Sequence, residues 1–169
     1  MFLNMTIVAM LSKYCYESQM NKEIAQTLHS TDESLPIALL RAREVLMGPV
    51  REMLSNTGLT EQQWRILRVL DEKGAIDAKR LAEKSALLAP SLSRILVGME
   101  KRELIARRGD TEDRRRQVIE ISKSGKALIS DNIDEAQRLA RDIQERLGPE
   151  RLELLLELLR DINRWPSVE

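Results

Sequence analysis

Apolar residues along most of this chain recur every three to four positions, the spacing of one face of an α-helix. The pattern predicts helices over residues 34–56, 60–73, 78–86, 87–102, 124–147 and 150–164. Several of these helices begin with side chains that accept hydrogen bonds from free backbone amides. We predict that Ser34 and Asp77 are N-cap residues and that Thr60 with Gln63 forms a capping box.

Two β-like runs, residues 105–108 and 117–122, lie on either side of the stretch GDTEDRRR, which joins them into a hairpin. A pair of short helices followed by a basic hairpin is the order of a winged helix-turn-helix, whose second helix lies in the major groove. The predicted fold class is therefore mainly α with a small β-hairpin wing and a helical dimerisation arm. The domain prediction is an N-terminal extension of unknown role (1–33), a dimerisation region (34–58 and 123–164) and a winged helix-turn-helix (59–122).

Charge clusters at the predicted wing, although the chain as a whole has 27 basic and 27 acidic residues. Residues 94–116 contain eight basic and five acidic residues, a net charge of +3. Arginines on an exposed tip can enter a narrow minor groove or bind phosphates. Asp113 is placed to orient Arg115 through a charge-assisted pair.

The fourth predicted helix begins Ala89-Pro90-Ser91-Leu92-Ser93-Arg94. Small side chains let a helix approach base edges closely, and arginine can pair with guanine. The alternative is a surface helix whose serines only cap it. We predict DNA contacts from this helix and from the wing, by Ala89, Ser91, Ser93, Arg94, Arg107, Arg114, Arg115 and Arg116.

The fifth predicted helix has apolar residues spaced alternately by four and three positions, which is typical of a helix–helix seam. The last helix is apolar over a wider face than one neighbour can cover. These patterns predict a dimer interface that contains Ile129, Ile133, Ala136, Ala140, Ile143, Leu155 and Leu159. An intramolecular helical hairpin is the alternative. Two copies would present two recognition helices to a pseudo-palindromic duplex.

The first helix places an arginine within its apolar face. At 100° per residue Arg43 lies among leucines, whereas Arg41 lies nearly opposite. A guanidinium in such surroundings needs a route to water or an anion, which would be either a protein carboxylate across the dimer or the carboxylate of a small aromatic acid. Arg43 is therefore the candidate effector anchor, and Trp64 is either a wall for the aromatic ring or a core residue.

The predicted wing carries a recognisable sequence motif. It consists of Asp113-x-Arg115, followed by Val118-Ile119-Glu120-Ile121-Ser122 and Gly125. These residues, with Leu104-Ile105-x-Arg107 at the end of the recognition helix, resemble the MarR family of bacterial transcriptional regulators. More narrowly, SLPIALLRAREVLM and GLTEQQWRILRVL resemble repressors of homoprotocatechuate and hydroxyphenylacetate catabolic operons, which respond to hydroxyphenylacetic-acid-type aromatics. The resemblance covers residues 34–164 and implies a homodimer intertwined through its first, fifth and sixth helices.

The sequence offers little for catalysis, because it has one histidine, one cysteine, no glycine-rich phosphate loop and no metal-ligand spacing. We expect no enzyme activity and no cofactor. A single cysteine and the lack of a bilayer-spanning apolar run favour the cytoplasm and no membrane partner. The resemblance implies a repressor of an aromatic-acid catabolic operon that an aromatic carboxylate releases from DNA, and two alternatives stay open. Cys15, between Tyr14 and Tyr16, would make the protein a redox-sensing MarR-type regulator, and a helical dimeric scaffold would not bind DNA.

Overall fold

The computed structural model describes residues 31, 34–109 and 117–165. The chain divides into two compact units, residues 1–48 and 49–169. The elements, in chain order, are α1 (Leu35–Leu54), α2 (Glu61–Lys73), β1 (Ile76–Asp77), α3 (Ala78–Lys84), α4 (Ala89–Lys101), β2 (Ile105–Gly109), β3 (Gln117–Ile121), α5 (Lys123–Leu147) and α6 (Pro149–Ile162). The prediction of a mainly α fold with a basic β-hairpin is confirmed.

Local hydrogen bonds explain where the helices of the second unit begin. The predicted capping box is present in both directions: the Gln63 amide donates to Thr60 Oγ1 at 3.2 Å, and the Thr60 amide donates to Gln63 Oε1 at 3.0 Å. Asp77 Oδ1 accepts from the Arg80 amide at 2.9 Å at the start of α3. Each cap satisfies an amide that has no partner within its helix, and so each fixes the first turn.

The strands form a three-stranded antiparallel sheet in the order β1-β3-β2. The hairpin register pairs Ile105 with Ile121 and Gly109 with Gln117. The sequence prediction contained the two hairpin strands but missed β1, which pairs Ile76 with Ile119. This third strand ties the base of the wing to the residue that caps α3.

The core lies in the second unit, where α2, α3 and α4 pack together with the sheet. Its most deeply buried apolar residues are Ile66, Leu67, Leu70, Leu81, Leu92, Leu96, Met99 and Ile119. Residues of α2 and α4 in this set recur three or four positions apart, which is the predicted helical spacing. Burial of one face of α4 against this core leaves the opposite face of the helix in solvent.

The start of α5 is packed tightly against the base of the hairpin. The Ser122 hydroxyl accepts from the Gly125 amide at 3.0 Å and donates to the carbonyl of Glu103 at 2.6 Å. A Cβ at Gly125 would lie 2.3 Å from the carbonyl oxygen of Leu104, which no ordinary side chain tolerates. Gly125 is therefore required by close backbone approach.

Among the helices within residues 34–109 and 117–165, none is long and apolar enough to cross a bilayer.

Candidate nucleic-acid interface

The recognition helix α4 divides sharply into a buried face and an exposed face. Leu92, Leu96 and Met99 are buried in the core of the module. The four residues of α4 that are predicted to contact DNA are all exposed: Ala89, Ser91, Ser93 and Arg94. The first two turns of α4 therefore present short side chains and one guanidinium to solvent, which is the surface that a major groove accepts.

A four-residue connection orients α4 relative to α3. The Leu87 amide donates to the carbonyl of Ala82 at 3.0 Å, and Ala86 has a positive φ of 49°. Ser85 is fully buried, and its hydroxyl donates to the carbonyl of Leu81 at 2.6 Å. This connection and the shared core hold α3 and α4 as a helix-turn-helix pair.

The stem of the wing is tied by ion pairs that the sequence reasoning missed. Arg107 Nε lies 3.2 Å from Glu100 Oε2 of α4, and Arg108 Nε lies 2.7 Å from Glu120 Oε2 across the hairpin. Arg107 thus contacts the recognition helix, and its predicted contact with DNA stays a prediction. The remaining predicted wing residues, Asp113, Arg114, Arg115 and Arg116, lie outside the described residues.

A second unpredicted contact joins the end of α4 to the turn between α1 and α2. Arg102, the C-cap of α4, donates from Nη1 to the carbonyl of Gly58 at 2.8 Å. Its guanidinium also reaches the carbonyl of Thr57 and Oε1 of Gln63, each at 3.4 Å. No spacing rule identifies this contact, because the partners are separated by 39 to 45 residues.

Helix α6 is the least covered element of the second unit. None of its 14 residues is buried, and Leu154, Leu155, Leu156 and Leu158 are all exposed. Of the predicted seam residues, Ile133, Ala136, Ile143 and Leu159 are partly buried, and Ala140 is exposed. Ile129 is 4% exposed and packs in the core of its own chain, and its place in a dimer interface stays a prediction.

The two residues predicted to bind an effector have different surroundings. Arg43 is not buried in an apolar face in this chain: its side chain is 49% exposed, and Nη1 lies 2.7 Å from Oε1 of Glu44. Trp64 is 8% exposed and belongs to the core cluster of the second unit. The structure thus gives Trp64 a packing role, and the effector role of either residue stays a prediction.

Two glutamates have a pKa that is shifted by a neighbouring cation. Hydrogen bonds from Lys73 and Arg138 hold the pKa of Glu72 and of Glu135, respectively, below their ordinary value. A general acid at neutral pH needs the opposite shift. In the part of the chain that the structure describes, no group of three His, Cys, Asp or Glu side chains could hold a metal ion.

Comparison with known proteins identifies this architecture. Residues 59–116 match the MarR family. The homoprotocatechuate degradative operon repressor of Escherichia coli is 37% identical over 129 residues, which cover 76% of this chain and 87% of the repressor. The chain belongs to the MarR family. Like its relatives, this MarR-family protein is a transcriptional regulator and not an enzyme.

Two solved structures have a similar fold over most of this chain. The structure of NadR in complex with 4-hydroxyphenylacetate has a TM-score of 0.70 and 36% identity, and the match covers 81% of this chain and 97% of NadR. The structure of the transcriptional repressor CouR bound to a 23-mer DNA duplex has a TM-score of 0.68 and 26% identity. The match covers 79% of this chain and 94% of CouR. These likenesses confirm the winged helix-turn-helix and its DNA-binding class.

Proposed function

We propose that this MarR-family regulator is a dimeric repressor of an aromatic-acid catabolic operon and that an aromatic carboxylate releases it from DNA. The observation that carries the DNA-binding part is the exposed start of α4, with Ser91, Ser93 and Arg94 in solvent while Leu92 and Leu96 are buried. The operon and effector classes are supported by the 37% identity to a homoprotocatechuate operon repressor and by the likeness to NadR in complex with 4-hydroxyphenylacetate.

The proposed dimer follows from the uncovered apolar surface of α6. Four leucines of this helix are exposed in the single chain, which is costly in water because apolar surface gains free energy when it is buried. A second copy covers such a helix with an identical helix about a two-fold axis. That symmetry places two copies of α4 on two half-sites of one duplex, about one helical turn apart.

The proposed effector anchor is Arg43 of α1. Its guanidinium is half exposed, and the planar group carries several N–H donors, which suit a bidentate contact with a ligand carboxylate. The nearby leucines of α1, Leu39, Leu40 and Leu46, are themselves exposed. This apolar surface beside a cation is the combination that an aromatic carboxylate requires. A role for Trp64 as a ring wall stays a prediction.

Calorimetry with 4-hydroxyphenylacetate tests the anchor. Arg43→Ala should weaken binding by at least tenfold, since a hydrogen bond to a charged group contributes about 1.5–3 kcal/mol. Arg41→Ala is the matched control, because Arg41 is a second exposed arginine two positions away on the same helix. Equal affinities of the wild type and Arg43→Ala for the acid would eliminate Arg43 as the anchor.

A further inference from the structure

The residue immediately before α4 is an exposed leucine. Leu88 is the N-cap of the helix, makes no side-chain cap hydrogen bond, and is 78% exposed. Ser, Thr, Asp and Asn are strongly preferred at this position, because their oxygen atoms accept from free amides at the helix start. Leu88 therefore provides no side-chain cap for α4, and its large apolar side chain lies in water.

Packing among residues 34–109 and 117–165 does not explain this leucine. The preceding residue, Leu87, is partly buried against the core, and Leu92 of the first turns is 1% exposed. These two residues occupy the positions whose apolar contact commonly fixes the direction in which a chain enters a helix. The start of α4 is thus anchored without Leu88, which leads into two further exposed residues without polar side-chain atoms, Ala89 and Pro90.

We propose that Leu88 is a specificity residue that recognises thymine through its C5-methyl group. This inference rests on the proposed placement of α4 in the major groove. The N-terminal residues of a recognition helix approach the base edges most closely. Thymine is the base that presents a methyl group in that groove, where apolar side chains contact it. An exposed leucine at the tip of α4 matches that methyl, and bringing the two together removes apolar surface of both from water.

The test uses a duplex that the protein itself selects from a random-sequence library. Each thymine of the selected site is replaced in turn by deoxyuridine, which lacks only the C5-methyl group. Wild-type protein should bind about fourfold more weakly when a contacted methyl is removed, the change that corresponds to burying one CH₂-sized group. When that thymine is compared with deoxyuridine, the Leu88→Ser protein should bind the two duplexes with equal affinity. Leu88→Met, which keeps an apolar side chain, should retain the discrimination.

The serine variant also separates this role from folding. Leu88→Ser supplies the missing cap and should raise the thermal unfolding midpoint while it loses thymine discrimination. Two results would overturn the role of Leu88 while leaving DNA binding intact. One is selection of half-sites that contain no thymine, and the other is equal discrimination between thymine and deoxyuridine by the wild type and Leu88→Ser. Failure of the protein to select any duplex would overturn the proposed function and, with it, this inference.

Discussion

Arg102 Nη1 donates a 2.8 Å hydrogen bond to the carbonyl oxygen of Gly58, 44 residues earlier in the chain. Arg102 closes the C-terminus of the recognition helix α4, and Gly58 lies in the turn that follows α1. A single guanidinium therefore joins the end of α4 to the turn that precedes α2.

We predict that Arg102→Gln lowers the free energy of unfolding by about 1 kcal/mol, because the carbonyl groups of Thr57 and Gly58 lose a charged donor. Urea unfolding at one fixed protein concentration measures the change, since the stability of a dimer depends on concentration. The control is Lys101→Gln, which removes a neighbouring exposed cation. Identical midpoints for the two variants would show that the Arg102 contacts add nothing to stability.

Gly125→Ala should lower the free energy of unfolding by about 1–3 kcal/mol, the usual cost of overpacking. The new Cβ would lie 2.3 Å from the backbone oxygen of Leu104, which cannot rotate away as a side chain would. Gly98→Ala in α4 is the matched control, because its new methyl group would meet no heavy atom within 4 Å other than those of its chain neighbours and its own helix backbone. The free energy of unfolding of Gly98→Ala should rise by about 0.5–1 kcal/mol, because alanine has a higher helix propensity than glycine. A stable Gly125→Ala protein contradicts the predicted close packing.

Substitution in the proposed seam should separate the protomers. Ile133 and Ile143 are partly buried in the single chain, and aspartate at either position would carry an unpaired charge into the interface. We expect Ile133→Asp and Ile143→Asp to sediment as monomers or to be insoluble. Ala127→Asp, at an exposed position of α5 nearly opposite the seam at 100° per residue, is the control and should remain dimeric. Folded dimers of both isoleucine variants would refute this interface.

The recognition helix and the wing should respond differently to loss of an arginine. Arg94→Ala should change the preferred base at one position of each half-site, with a loss of about 1–3 kcal/mol of discrimination. Arg115→Ala should weaken binding to all sequences and reduce the salt dependence by about one counterion. Binding to a panel of single-substituted duplexes at several salt concentrations distinguishes these effects. An unchanged base preference for Arg94→Ala would remove this residue from the groove.

Local signals in the sequence predicted most of the helices, because their determinants lie within a few residues of one another. The capping box of Thr60 and Gln63 and the cap at Asp77 are contacts across three positions, and both are present. Strand β1 was missed for the opposite reason. It has only two residues, and its existence depends on pairing with Ile119, more than forty residues away.

Spacing was also insufficient to assign partners to apolar and charged residues. Ile129 fits the seam pattern of α5, but a periodic pattern cannot tell whether a position faces its own core or a second chain, and Ile129 faces the core. The pairs Arg107–Glu100 and Arg102–Gly58 likewise depend on tertiary approach. The exposed start of α4 could be predicted because Leu92, Leu96 and Met99 mark its buried face at helical spacing.

The most direct test of the central claim measures DNA affinity by fluorescence anisotropy, with and without saturating 4-hydroxyphenylacetate. The labelled duplex is one that the protein selects from a random-sequence library. If the acid binds more tightly to the conformation that does not bind DNA, the affinity for DNA should fall by about 5- to 150-fold. Tight binding to the duplex that stays unchanged with the acid present would contradict control by an aromatic carboxylate.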